Sequence, residues 1–210
     1  MKLHVGVLGK RQVRLLPRLG PVLKQRGFYL AGGTALALLL GHRRSVDLDW
    51  FTSEHLDHPL RLADLLRDAG FIFQVEDVAP GTLHGAISGV RVSFLDYRYP
   101  LLRPLVDVRR LACTVASLRD LAAMKLSAIA QRGAKKDFID LHALLAKRIR
   151  LPDMLAWYQR KYSISDLAHV LVSLTYFDDA DRERAPRMYS RIDWRAIKSV
   201  IRDDVQRLAR

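Results

Sequence analysis

An apolar run that stops at a diglycine and then resumes, Phe28-Tyr29-Leu30-Ala31-Gly32-Gly33-Thr34-Ala35-Leu36-Ala37, narrows the folds open to this chain more than any other feature. The pattern predicts a buried strand that breaks at Gly32-Gly33 and re-forms as a helix, because glycine takes a sharp turn and leaves the backbone open to close approach. Free amides at such a turn suit a phosphate. Past the basic loop Arg43-Arg44-Ser45, the residues Val46 to Phe51 read as a second strand. Side chains alternate across a strand, so Asp47 and Asp49 share one face while Val46, Leu48 and Trp50 line the other. Two carboxylates held side by side beside a phosphate turn are the oxygen donors that Mg²⁺ takes when it bridges protein and nucleotide phosphates. Either half of this pattern is common alone; the ordered combination carries the reading.

A second dense stretch runs from Ser117 to Leu141. Ser117 reads as an N-cap with Asp120 at the capping-box position, and the apolar spacing continues the helix to Gly133. Lys125 and Arg132 lie two turns apart and share a face able to grip a triphosphate or a nucleic-acid backbone. On the next helix, from about Ala134 to Ala146, Asp137 and Asp140 are three apart and so placed to orient that lysine and arginine, or an attacking hydroxyl. Ordinary ion pairs between neighbouring helices would leave the same trace.

Between these stretches, Pro59 to Ala69 reads as an amphipathic helix, and Phe71 to Val78, Thr82 to Ser88 and Val90 to Tyr97 read as strands. Pro100 and Pro104 mark a loop, and from Ser117 onward the pattern is helical. Near the N-terminus, Pro17 and Pro21 interrupt a helical spacing, so a helix is expected to begin near Leu16 or after Pro21. The expected fold is α+β: a small mixed, antiparallel-rich sheet of about five strands with flanking helices over residues 1–112, then an all-helical region over 113–210.

With 35 Lys and Arg against 22 Asp and Glu, the formal charge is +13, which favours phosphate-rich partners and nucleic acid first among them. Arg182, Arg184, Arg187, Arg191 and Arg195 are the candidates for holding such a backbone. The single Cys113 excludes an internal disulfide and a cysteine-rich zinc site, and it reads as a core residue. The N-terminal apolar run is too short for a signal peptide, and no stretch reaches the roughly 20 apolar residues of a membrane span. A cytoplasmic protein with no membrane partner is expected.

Leu30 to Leu36, Arg44 to Phe51, Tyr97-Arg98-Tyr99-Pro100-Leu101-Leu102 and the block from Lys125 to Asp140 occur in the order and wording of the AbiEii/AbiGii-type nucleotidyltransferase toxins. The chain resembles that family, within the polymerase-beta-like nucleotidyltransferase superfamily, over roughly residues 25 to 145. The resemblance implies that Asp47 and Asp49 are metal-binding catalytic carboxylates and that Lys125 and Asp137 complete the catalytic set. Gly32, Gly33, Thr34, Arg44, Ser45, Arg132 and Asp140 then form the nucleotide-binding set. One departure stands out. The superfamily's third carboxylate, aligned on the Tyr-x-Tyr-Pro-Leu-Leu block, falls near Ser93, and Asp96 is three residues on, hence on the opposite strand face.

The function this implies is Mg²⁺-dependent transfer of a nucleoside monophosphate from an NTP to a hydroxyl on an RNA, with tRNA the expected acceptor, in the toxin of a pair with a cognate antitoxin. Two alternatives stay open. The same site fits a phosphotransferase, or a nucleotidyltransferase acting on a protein or small molecule. Loss of the carboxylate at Ser93 also fits a catalytically degenerate module that binds nucleotide or antitoxin.

Overall fold

The apolar runs collapse onto one mixed sheet backed and followed by helices. The computed structural model describes residues 3–189, 191 and 193–208. Among them the strands are β1 (Tyr29–Ala31), β2 (Leu48–Thr52), β3 (Phe73–Ala79), β4 (Thr82–Ile87), β5 (Val90–Asp96), β6 (Val106–Val108) and β7 (Cys113–Val115). The helices are α1 (Lys10–Lys24), α2 (Gly32–Leu40), α3 (Pro59–Asp68), α4 (Leu118–Arg132), α5 (Lys135–Ala146), α6 (Leu151–Tyr162), α7 (Ala168–Thr175), α8 (Asp178–Arg182) and α9 (Trp194–Leu208). The strand order is β3-β4-β5-β2-β1-β7-β6. Only β2–β5 and β1–β7 pair in parallel, so the sheet is mixed and antiparallel-rich, as expected.

Three local expectations change. The sheet has seven strands among the described residues rather than about five. β6 and β7 are three residues each, too short to show a period of two, and they exist because β1 offers β7 a partner edge. The helix α1 begins at Lys10 and runs through both prolines. Pro17 and Pro21 are four apart on its exposed side, while Leu15, Leu16, Leu19 and Leu23 bury the other side. The second strand starts at Leu48 rather than Val46, and Val46 stands 59% exposed instead of lining the core.

β7 follows residue 112, where the sequence suggested the division between the two parts; the sheet ends at Val115, and Ser117 caps α4 by accepting from the Asp120 amide at 3.2 Å. One apolar core runs through both parts, from Leu36, Trp50 and Phe94 to Leu126, Phe138 and Leu141, and it includes Cys113. The Tyr97 to Leu102 segment is the joint between them. Tyr97 Oη and Tyr162 Oη share a 2.5 Å hydrogen bond, and Tyr99 packs against both rings. Lys161, buried with no exposed surface, donates to Asp120 Oδ1 at 2.8 Å and to the Pro100 carbonyl at 2.9 Å. This joint ties α4 and α6 to the segment that follows β5. No helix among the described residues is long and apolar enough to cross a membrane.

Candidate active site

The strand-to-helix turn fixes the site's floor. Gly32 sits at φ +64°, and a Cβ there would lie 2.8 Å from Asp49 Oδ2; a Cβ on Gly33 would strike the Arg43 guanidinium. The diglycine therefore clears room for a carboxylate and a cation. Thr34 is buried, and its hydroxyl donates to the Asp47 carbonyl, so Ser45 Oγ, 2.6 Å away, must donate to Thr34. Ser45 N donates to the Val7 carbonyl at 3.1 Å, and Arg44 N to the Arg187 carbonyl at 2.8 Å. These bonds pin the loop that leads into Asp47.

Asp47, at the entry to β2, and Asp49, two residues along, present their carboxylates on one side, as the alternation requires. Burial and the neighbouring Asp47 charge raise the Asp49 carboxyl above its ordinary value, against the pull of a hydrogen bond from Ser93. Asp47 Oδ1 accepts from Arg91 Nε at 2.8 Å. Ser93, where the resemblance led a third carboxylate to be expected, pairs in register with Asp49 across β2 and β5. Asp96 is elsewhere, held by His55 at 2.5 Å and Arg98 at 3.2 Å.

Helices α4 and α5 supply the opposite wall. Lys125 Nζ lies 2.7 Å from Asp137 and 2.8 Å from Asp140, and Arg132 donates to Asp137 at 2.8 and 3.1 Å. Asp140 also receives Arg43 at 2.6 and 2.9 Å and His42 Nε2 at 2.7 Å. Burial alone would raise both carboxyls, but Lys125, with Arg132 at Asp137 and with Arg43 and His42 at Asp140, outweighs it and holds both below the usual carboxylate range. Burial likewise lowers the Lys125 ammonium, and Asp140 and Asp137 more than reverse it, so Lys125 stays charged.

Between the walls is a cavity of about 290 Å³ lined by Gly33, Arg43 to Asp47, Asp49, Lys125, Arg132, Lys136, Asp137, Pro186 and Arg187. It brings together all four expected catalytic residues with Gly33, Arg44, Ser45 and Arg132. Gly32, Thr34 and Asp140 stand behind its surface, shaping the turn, the Asp47 loop and the cations. Arg43, Arg91 and Lys136 were not singled out from the sequence, and Arg187 was expected to hold an acceptor backbone rather than to line the cavity. Arg91 carried a signal, standing two residues before Ser93 on the same strand face. The place of Arg187 at the cavity carried none, since it arrives through a β-bridge between Arg43 and Met188, far apart in the chain.

The donors fit a divalent cation. Two carboxylate oxygen sets share one side, and the charge of one makes ionisation of the other costly, a penalty that a cation relieves. Among the described residues no cluster of three or more His, Cys, Asp or Glu is placed to hold a metal, so protein would supply two carboxylates and substrate or water the rest, as Mg²⁺ accepts.

The sequence model of the nucleotidyl transferase AbiEii toxin family, of a type IV toxin–antitoxin system, matches residues 14–109 and 89–207. An uncharacterized protein of Aquifex aeolicus is 40% identical over 161 residues, spanning 74% of this chain and 76% of that one. MenT4, a nucleotidyltransferase toxin of Mycobacterium tuberculosis, superposes with a TM-score of 0.53 at 16% identity over 94% of this chain and 84% of its own. A crystal structure assigned as a nucleotidyltransferase of H. pylori gives 0.51 at 16% identity, over 98% and 92%. At that identity the two structures speak to the fold, while the family match spans nearly the whole chain. The chain thus belongs to the AbiEii nucleotidyl transferase toxin family and is an enzyme of the nucleotidyltransferase class.

Proposed function

We propose that this protein moves a nucleoside monophosphate from an NTP to a hydroxyl of an RNA, a tRNA being the acceptor class, and that it works in the cytoplasm as a toxin restrained by a cognate antitoxin. The observation that carries the reading is the cavity itself, with two sheet carboxylates on one wall and Lys125, Arg132, Lys136, Arg44 and Arg187 around the other. Such a wall complements a triphosphate, whose charge the cations neutralise. Lys125 is held by Asp137 and Asp140 and Arg132 by Asp137, so their positive charge is in place before substrate binds. Bound by Asp47 and Asp49, Mg²⁺ would neutralise phosphate charge and help align the reacting oxygens. The acceptor oxygen bonds to the α-phosphorus, the bond from that phosphorus to the β-phosphate oxygen breaks, and pyrophosphate leaves toward Lys125 and Arg132. The division of labour follows the chain: the sheet part up to about residue 116 carries Asp47, Asp49 and Arg44, and the helical part carries Lys125, Arg132 and Lys136 and the exposed Arg182, Arg184, Arg187, Arg191 and Arg195 for an acceptor backbone.

The test incubates protein, Mg²⁺, total RNA and each NTP labelled at the α-phosphate, with Asp49→Ala alongside. Label in RNA with the wild type and none with Asp49→Ala supports the reading. In a parallel series labelled at the γ-phosphate, transfer of that label instead identifies a phosphotransferase, and label on protein or a small molecule reassigns the acceptor. No transfer with any NTP and acceptor leaves a binding module.

A further inference from the structure

The transfer needs a group to take the acceptor hydroxyl's proton, and the residue at the third-carboxylate position cannot do so, because a serine hydroxyl is a poor base. Pairing across the sheet shows what stands behind it. Asp49 on β2 is in register with Ser93 on β5, and Ser93 is in register with His84 on β4, so the three side chains lie on one face in adjacent strands. They are neighbours in line: Ser93 stands beside Asp49 in register, and His84 Nδ1 is 3.0 Å from Ser93 Oγ.

The direction of this chain follows from valence. A Ser93 hydroxyl that turns its proton toward the neighbouring Asp49 carboxylate offers its lone pair to Nδ1–H of His84. That arrangement leaves the lone pair on His84 Nε2, an atom with no hydrogen-bond partner among the described residues, in a half-buried side chain on the carboxylate side of the sheet. The other charged groups set around it on that sheet are Asp49, Arg91 on β5 and Asp77, which opposes it on β3. Asp47 is engaged by Arg91. Lys125 and Arg132, which would receive pyrophosphate, are on the helical wall, so the attacking hydroxyl of an in-line displacement enters on the sheet side, the side of His84, while the rest of the acceptor backbone lies along the helical part.

We infer that His84 is the general base of the transfer and Ser93 the positioning residue that orients it. As the acceptor oxygen bonds to the α-phosphorus, its O–H bond breaks and the proton passes to His84 Nε2, while the phosphorus–oxygen bond to the β-phosphate breaks and pyrophosphate departs with that electron pair. The inference rests on the nucleotidyl-transfer reading above.

Single-turnover transfer of α-labelled nucleotide is measured for the wild type, His84→Ala, His84→Asn, Ser93→Asp and the double variant Ser93→Asp/His84→Ala, with nucleotide affinity read by filter binding. His84→Ala is expected to slow transfer on the order of 10²–10⁴-fold, the usual worth of a general base, with nucleotide affinity unchanged. His84→Asn keeps a donor for Ser93 but has no basic nitrogen, and is expected to be as slow. Added imidazole is expected to restore part of the His84→Ala rate. A carboxylate at position 93 offers another base, so loss of His84 costs less in the Ser93→Asp background. Full activity of His84→Asn, or of His84→Ala, overturns the inference, as does a loss that follows nucleotide affinity alone. A wild type that moves no label removes the transfer reading and the role of His84 with it; an active wild type beside an equally active His84→Ala removes only the latter.

Discussion

Asp140→Asn tests the buried charge network that holds the cationic wall. Asp140 is fully buried and receives Arg43 at 2.6 and 2.9 Å, Lys125 at 2.8 Å and His42 at 2.7 Å. The substitution keeps the shape and withdraws the charge, which leaves Asp137 alone against Lys125, Arg132 and Arg43. Removing one partner of a buried pair costs about 3–5 kcal/mol, because the remaining cations stay desolvated. With a urea m value of about 2 kcal/mol/M, the unfolding midpoint at pH 7 falls by about 2 M. Asp64→Asn is the control, since it removes the carboxylate of the Arg67–Asp64 pair, equally short at 2.8 Å but with Asp64 69% exposed, and is expected to cost under about 1 kcal/mol. The sign with pH is also fixed. Because Asp140 is held below the usual range, the native protein binds fewer protons than the unfolded chain, whose carboxyl takes one up near about pH 4. The contribution is complete above that pH and is lost as pH falls toward the native value, so the gap between wild type and Asp140→Asn narrows in acid. A loss no larger than that of Asp64→Asn, or a gap that stays constant down to about pH 3, would refute the argument that the carboxylate's charge stabilises the network.

Gly32→Ala places a Cβ at φ +64° and 2.8 Å from Asp49 Oδ2, and is expected to cost about 1–3 kcal/mol in urea unfolding while displacing the carboxylate. Mn²⁺ titration followed by electron paramagnetic resonance should show weakened binding, and wild-type affinity would contradict the steric reading. Thr34→Val removes the hydroxyl that joins Ser45 to the Asp47 carbonyl, with an expected loss of about 1–3 kcal/mol; an unchanged midpoint would mean the loop is held by other bonds. Lys161→Met leaves the buried Asp120 with only the Ser117 hydroxyl and Leu102 amide, at a cost of about 3–5 kcal/mol, and calorimetry should show the melting temperature lowered by about 6–20 °C.

The strand–diglycine–helix turn, the shared side of Asp47 and Asp49, and the helices carrying Lys125 and Asp137 were legible because each depends on local period: two along a strand, 3.6 along a helix. The bounds of α5 follow from apolar spacing in the same way, and Pro152 stands in the first turn of α6. Features governed by neighbours distant in the chain were hidden. β6 and β7 need β1 beside them, and α1 passes through two prolines because packing of its leucines outweighs local propensity.

The sequence by itself determined which residue types would meet: two carboxylates after a glycine turn, and a lysine and an aspartate on consecutive helices. Tertiary structure decided what each one does there. It turned Gly32 into clearance for Asp49 and Thr34 into a brace for the Asp47 loop, put Arg43 rather than Arg44 against Asp140, and brought Arg187 across the chain to the cavity. It also set Ser93 between Asp49 and His84, which no spacing along the chain reports. Sequence pattern encodes periodicity and composition within one element, whereas register across strands and the fit of a charge into a buried site are fixed only when separate elements pack.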